Sequence, residues 1–288
     1  MALREFARYN MKQVGNGPVW QLNFERECEL ALQNQLRINL GTMDQTVNRL
    51  ADDALAGKGF TVFTLNLDHL VKLRVDKLFR AAYLRAKYVT ADGWPIVWLA
   101  RSKGAVLERT TGADLVNPLC EQAAKRGITV YFFGSSEQAL QAAADDLRTR
   151  YPALQVVGME APEYGFDPRS SAADEAIERI ALSGAGLCFL ALGAPKQELF
   201  ADRAFDQCPH VGYLCIGAAL DFLAGHQKRA PKWMQNTGTE WFYRLATNPR
   251  RLVGRYARSA LVFAEMAARQ LFKSPHKLLD FSVADLKK

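Results

Sequence analysis

Five short polar segments of this sequence contain residue types that could carry chemistry, and each follows an apolar run typical of a β-strand. They are TLNLDH at 64–69, ADGWP at 91–95, GSSE at 134–137, LGAPKQE at 192–198 and GAALD at 217–221. Taken singly, each has an ordinary interpretation, such as a turn or a helix cap. The carboxyl ends of parallel strands meet at one edge of a sheet, and ligands bind there. We therefore expect the five segments to form one site.

The residue types in these segments suit a nucleotide-sugar. Glycine-rich turns and helix N-termini offer backbone N–H groups to phosphate. A carboxylate such as Asp92 could take the proton from a hydroxyl that attacks an anomeric carbon, and Thr64 lies at a neighbouring strand end. Amide and hydroxyl side chains can hold sugar hydroxyls. The binding candidates in these segments are Asn66, Gly134, Ser135, Gly193, Gln197 and Asp221.

The sequence offers no obvious ligands for a metal ion. It contains no Asp-x-Asp pair, and the four histidines are scattered along the chain. We therefore expect neither a metal nor another cofactor. A diphosphate leaving group would then need cationic side chains, which can neutralise the charge that develops on it.

The C-terminal region can supply those cations. From His226 onward there are 13 Lys and Arg residues against 4 Asp and Glu, while the rest of the chain has 24 against 26. A helix predicted at about 250–273 places Arg251, Arg255 and Arg258 on one face, and Arg244 lies on a preceding helix at about 237–248. Such a basic region predicts an anionic partner, which could be a diphosphate, an anionic membrane surface or a nucleic acid. The alternative is an amphipathic helix with a solvated basic face.

The elements that position these residues alternate between strands and helices. The apolar runs lack alternation with polar residues, which is typical of parallel strands covered by helices on both faces. The sequence therefore predicts an α/β, Rossmann-like fold with a mostly parallel sheet and a C-terminal helical appendage. We divide the chain into an N-terminal extension (1–36), a catalytic core (37–225) and a basic helical appendage (226–288). The predicted strands are 60–65, 87–92, 128–134, 154–159, 186–193 and 211–217.

The hydropathy of the chain, its N-terminal residues and its cysteines indicate the cellular compartment in which it folds. No apolar stretch is long enough to span a membrane, and the N-terminus lacks a secretory h-region. The five cysteines are an odd number without C-x-x-C spacing, so a reducing cytoplasm fits better than a disulfide framework.

The ordered motifs between about Arg37 and Phe272 resemble the WecG/TagA/CpsF glycosyltransferases. The motifs are T-x-N-x-D (64–68), A-D-G (91–93), E-R-x-x-G-x-D-L (108–115), F-G-S-S-E (133–137), A-L-G-A-P-K-Q-E (191–198), G-x-x-x-D-F-x-A-G (217–225), R-A-P (229–231) and E-W-x-Y-R-L (240–245).

The resemblance implies a peripheral enzyme on the cytoplasmic face of the cell membrane. Such enzymes transfer a hexose from a UDP-sugar to an undecaprenyl-diphosphate-linked saccharide, with inversion and without an Asp-x-Asp metal site. Glucose, N-acetylmannosamine and its uronate all occur as donor sugars. The resemblance also implies a Rossmann-like core, an appendage that helps to complete the active site, and self-association.

The resemblance also implies roles for individual residues. Asp92 corresponds to the family's proposed base, and Thr64 to its active-site threonine. The other corresponding positions are Gln197, the pocket arginine Arg109, and the appendage arginines Arg244 and Arg251. One further family arginine falls on Gly254 here, with Arg255 adjacent.

Three other classes of protein remain as alternatives at this point. A nucleic-acid-binding protein would explain the basic region, but the arginines lack interleaved stacking aromatics. A dinucleotide-dependent oxidoreductase would need a G-x-G-x-x-G after its first strand, which is absent. A non-catalytic scaffold would not need Thr64, Asp92 and Gln197.

Overall fold

The computed structural model describes residues 8–13, 20–25, 36–101 and 106–272. Three antiparallel strands come first along the chain: β1 (Arg8–Gln13), β2 (Trp20–Glu25) and β3 (Leu36–Ile38). The sequence did not predict β1 and β2, because residues 1–35 lack clear periodicity. The side chain and backbone of Asn39 then hydrogen-bond to the backbone of Lys87 and Val89, which ties the end of β3 to the core.

The core is a six-stranded sheet in which every adjacent pair is parallel. The strand order across the sheet is β5-β4-β9-β8-β6-β7. Each predicted strand is present, with its carboxyl end at the same edge. The strands are β4 (Phe60–Leu65), β5 (Tyr88–Ala91), β6 (Val130–Gly134), β7 (Val156–Glu160), β8 (Leu187–Ala191) and β9 (Gly212–Cys215).

The sheet separates two apolar cores. Along β4, Phe63 and Leu65 pack into one core while Phe60 and Val62 pack into the other. This alternation follows the two-residue period of a strand. All residues of β4 are buried, which explains why its sequence lacks the alternation of polar and apolar residues that a half-exposed strand shows.

Nine helices of the described chain belong to the core, and most connect successive strands. They are α1 (Met43–Leu55), α2 (Leu67–Val75), α3 (Lys77–Arg85), α4 (Trp94–Arg101), α5 (Gly112–Arg126), α6 (Glu137–Arg150), α7 (Ser171–Leu182), α8 (Lys196–Gln207) and α9 (Ala219–Leu223). The single helix predicted near 67–80 is two helices, because Asp76 is extended. The Asp76 carboxylate accepts a hydrogen bond from Phe79 N at 3.0 Å and caps α3.

Three helices follow Gly225: α10 (Lys232–Asn236), α11 (Glu240–Thr247) and α12 (Pro249–Phe272). The long helix α12 packs against α2 and α4. Glu265 forms an ion pair with Arg74 at 2.9 Å, and the Phe263 ring lies 5.6 Å from that of Trp98. The appendage therefore lies beside the strand ends of β4 and β5 and not at a distance from the core.

Candidate active site

The end of β4 contributes a hydroxyl and an amide. Thr64 is buried and lies opposite Thr90 of β5 in the parallel register. Asn66 is the N-cap of α2, and its Oδ1 accepts a hydrogen bond from His69 N at 3.0 Å. The Asn66 oxygen is therefore engaged in the fold. Its NH₂ group makes no hydrogen bond with the residues that the structure describes.

Asp92 follows β5 directly, and its backbone N–H donates to Leu65 O at 2.7 Å. This bond places the carboxyl group beside the end of β4. Part of the Asp92 surface is accessible, yet protein atoms closely surround the carboxyl group. Burial raises the pKa of Asp92 to about 6, while the positive charges of Arg244 and Arg109 act in the opposite direction. A carboxylate with a pKa near neutrality suits a general base.

Three arginines and two carboxylates form linked ion pairs, and all of them except Arg229 are among the charges that act on Asp92. We call Arg109, Arg229 and Arg244 the arginine cluster, and Asp114 and Glu240 the carboxylate pair. Arg229 lies 2.7 Å from Asp114, and Arg244 lies 2.6 Å from Glu240. Arg109 lies between the two carboxylates, at 3.4 Å and 3.9 Å. The arginine cluster is thus assembled from both the core and the appendage.

Backbone turns shape the opposite side of the strand ends. Gly134 has a φ of 111°, and a Cβ there would lie 2.6 Å from the backbone of Ala191. Ser135, with a φ of 57°, is the one non-glycine residue of the described chain in the left-handed region. Its hydroxyl donates to Asp221 Oδ1 at 2.7 Å, and Gly193 turns nearby with a φ of 73°. Three sequence-predicted segments therefore converge here.

Gln197 lies in the first turn of α8 and is buried. Its Oε1 accepts from Gly217 N at 3.1 Å, and its Nε2 donates to Glu198 Oε1 at 2.9 Å. The buried Glu198 was not among the predicted site residues. Burial raises the pKa of Glu198 to about 7, and its Oε2 has no hydrogen-bond partner among the described residues.

The appendage arginines do not share one environment. The Arg255 guanidinium lies 5.6 Å from the Tyr256 ring, and its buried Nε has no hydrogen-bond partner in the described structure. Arg255 is near His69 of α2, whose pKa is lowered to about 3 chiefly by burial and also by Lys72 and Arg255. The side chain of Arg251 lies outside the described residues. Arg255 therefore lies on the α2 side of the site, and within the described structure it forms no ion pair with the carboxylate pair.

Sequence reasoning missed Arg229 and the carboxylate pair as site residues. All three occur within motifs that carry the family resemblance: R-A-P, E-R-x-x-G-x-D-L and E-W-x-Y-R-L. Their opposite charges were a signal, but residue 114 lies more than 100 positions before residues 229 and 240. Only the packing of the appendage brings them together.

One comparison with known proteins bears on these residues. A sequence model of the glycosyl transferase WecG/TagA/CpsF family matches residues 33–277. The chain belongs to this family.

Membership makes the chain a glycosyltransferase of surface polysaccharide synthesis. The family uses a sugar-nucleotide donor and a lipid-linked acceptor. The matched range includes the whole core and all three helices of the appendage. The family match confirms the predicted family, and the parallel sheet flanked by helices confirms the predicted fold class.

Within the described ranges, no helix is both long and apolar enough to cross a membrane. Across the same part of the chain, no three His, Cys, Asp or Glu side chains group in a way that could hold a metal ion.

Proposed function

We propose that this glycosyltransferase moves a hexose from a UDP-sugar to an undecaprenyl-diphosphate-linked saccharide, with inversion at the anomeric carbon. The hexose is glucose, N-acetylmannosamine or its uronate. The observation that carries the proposal is the position of Asp92, a carboxyl group with a pKa of about 6 that faces the arginine cluster at the carboxyl edge of the sheet.

The reaction needs one base and one stabilised leaving group. The acceptor hydroxyl oxygen attacks the anomeric carbon and forms the new glycosidic bond. The bond from that carbon to the β-phosphate oxygen breaks, and its electron pair leaves with UDP. The hydroxyl proton passes to the Asp92 carboxylate. Attack on the face opposite UDP inverts the anomeric centre.

Neighbouring groups would position the donor. The Thr64 hydroxyl and the Asn66 NH₂ group lie on the β4 side of Asp92, and the turns at Gly134 and Gly193 present backbone near Asp221. Turns of this kind bring backbone N–H groups close to phosphate or ribose. Gln197 would act mainly through its bond to the Gly217 N–H, which holds the last turn in place.

The arginine cluster would neutralise the diphosphate without a divalent metal. Guanidinium groups bind phosphate oxygens through paired N–H donors, and these bonds strengthen as charge accumulates in the transition state. Arg109 is suited to this role because its guanidinium makes no hydrogen bond with any described residue, although it lies between two carboxylates.

The outer face of the appendage supports peripheral association with the inner face of the cell membrane. Trp233, Trp241, Phe242 and Leu261 are all more than half exposed. The basic residues Arg250 and Arg258 lie in α12, the helix that also contains Leu261. Aromatic and basic side chains together favour an anionic bilayer surface, where the lipid-linked acceptor is held.

The proposal is tested by a donor screen. Purified protein is incubated with a lipid-diphosphate-linked acceptor and, separately, with UDP-glucose, UDP-glucuronate, or UDP-N-acetylglucosamine together with its 2-epimerase, while released UDP is measured. Acceptor-dependent release from one donor supports the proposal and identifies the sugar. Failure of all donors, together with failure of UDP to bind, would favour a non-catalytic scaffold.

A further inference from the structure

Helix α11 meets the core through charge and not through apolar burial. None of its residues is buried, and Trp241 and Phe242 are 52% and 57% exposed. By contrast, the side chain of Glu240 is only 15% exposed. Surface helices normally turn their apolar face to the core and their charged face to water. The reversed pattern indicates that the inward face of α11 serves the site.

Glu240 contacts both sides of the junction. One carboxylate oxygen accepts a hydrogen bond from Arg244, one turn later in the same helix, at 2.6 Å. The other oxygen lies 3.9 Å from Arg109 of the core. Each oxygen therefore serves a different arginine. These are the two arginines whose charges act on Asp92.

Asp114 makes the equivalent contacts from the core side. Its two oxygens lie 2.7 Å from Arg229 and 3.4 Å from Arg109. Arg109 is thus held between one carboxylate from each part of the molecule. Its own side chain is 15% exposed, so its position depends on these two charges and not on solvent.

The charges balance in a way that suits the proposed reaction. With Asp92 ionised, the arginine cluster carries three positive charges against three negative charges from Asp92 and the carboxylate pair. When Asp92 takes the acceptor proton, the set gains one net positive charge. That charge arises as the diphosphate leaves, which is when a cation nearby is most useful.

We propose that Glu240 is a positioning residue that holds Arg244 and Arg109 beside Asp92 and thereby docks α11 over the active site. This inference rests on the proposed function. Glu240 acts through the arginines and has no role of its own in bond breaking. Its negative charge, and not its volume, is the property that matters.

Two substitutions separate charge from volume. Glu240→Gln keeps the size of the side chain and removes the charge, whereas Glu240→Asp keeps the charge and shortens the side chain. If charge positions the arginines, kcat/KM should fall at least about 10-fold in Glu240→Gln, as for loss of a charge-assisted bond, and Glu240→Asp should recover part of it. The opposite order would show that Glu240 only fills space and would overturn the proposal.

A second readout is the acidic limb of the pH–rate profile. The charged groups that act on Asp92 come from two parts of the chain. Arg244 and Glu240 belong to α11, Asp114 belongs to α5, and Arg109 lies in the segment just before α5. If Glu240 holds Arg244 and Arg109 in place, its loss of charge lets these two cations move away from Asp92, whose carboxyl group then becomes harder to ionise. The limb should therefore move to higher pH in Glu240→Gln and stay near its original position in Glu240→Asp. A limb that moves to lower pH would show only the direct loss of a negative charge near Asp92, and this result, like an unmoved limb, would contradict the proposal.

Glu265→Gln is the matched control. Glu265 also joins the appendage to the core, through its ion pair with Arg74, but it is not among the charges that act on Asp92. This variant should keep the wild-type acidic limb. A limb that moves equally in Glu265→Gln and Glu240→Gln would show that any loosening of the appendage suffices, and would overturn a specific role for Glu240.

Failure of the proposed function is recognised separately, since the wild-type protein would then release no UDP from any donor. In that case hydrogen–deuterium exchange of residues 240–247 decides the inference. Exchange should rise in Glu240→Gln, less in Glu240→Asp, and remain at the wild-type level in Glu265→Gln. Equal exchange in the wild type and in Glu240→Gln would show that Glu240 does not dock α11.

Discussion

At the scale of single residues, Asp92 is the group on which turnover depends most. Asp92→Asn keeps the shape of the side chain but cannot take a proton. We expect turnover to fall by at least about 10²-fold, as is usual when a general base is lost, while UDP binding is largely retained. UDP release and calorimetric UDP binding measure the two effects. The exposed Asp206→Asn is the control, and near-normal turnover of Asp92→Asn would dismiss Asp92 as the base.

The pH dependence of turnover follows from the raised pKa of Asp92. The base must be ionised, so kcat/KM should be lost as pH falls through about 6 and be constant above it. Glu198, whose pKa is raised to about 7, also titrates in this range. A profile from pH 5 to 8 of the wild type and of Glu198→Gln separates the two groups. The limb near 6 should persist in Glu198→Gln; its disappearance would assign it to Glu198.

At the scale of elements, the turn after β6 depends on glycine. Gly134→Ala would place a Cβ 2.6 Å from the Ala191 backbone, at a φ of 111°. Gly127 also has a positive φ, as the C-cap of α5, but a Cβ there meets open space. Gly127→Ala should cost about 1–2 kcal/mol of the free energy of unfolding, and Gly134→Ala at least about 1 kcal/mol more. Urea unfolding measures the free energy of unfolding of both variants. Equal losses would show that the Ala191 backbone at the end of β8 moves aside without a measurable cost.

The outward face of α11 should control membrane association. Changing Trp241 and Phe242 together to Ser removes exposed apolar surface without touching the arginine cluster. Binding to vesicles of phosphatidylglycerol and phosphatidylethanolamine should weaken roughly 10-fold, because about half of each ring is available to the bilayer. Sedimentation with vesicles measures the effect. Tyr164 and Leu182, also exposed, are changed to Ser as the control; an equal loss there would show that the effect is unspecific.

At the scale of the whole molecule, the site exists only where the appendage meets the core. Because arginines from both parts would neutralise the diphosphate, turnover should survive an excess of a metal chelator. The assay compares UDP release with and without the chelator, at constant ionic strength. Full loss of activity that Mg²⁺ or Mn²⁺ restores would refute neutralisation by the arginine cluster and require a metal in its place.

The apolar runs by themselves determined the order of the sheet strands along the chain and the position of the polar segments after them. The hydrophobic pattern and the composition of a segment are local properties. The segment 60–65 can therefore be predicted as a strand without knowing which strands it pairs with. The helix break at Asp76 and the three strands β1, β2 and β3 were missed. Asp76 becomes extended through a local cap, whereas β2 is defined by pairing with residues on both sides of it.

The sequence also determined the family and, through it, the expected base and the expected arginines. Only the tertiary structure decided which charges meet. Arg255, a predicted substrate-binding residue, lies near His69 of the 64–69 segment. Glu240 and Arg229, which were not predicted, form ion pairs with Arg109 and Asp114. Ion pairs between residues more than 100 positions apart leave no periodic trace in a sequence. They arise because the appendage brings Arg229 and the charged face of α11 against the core.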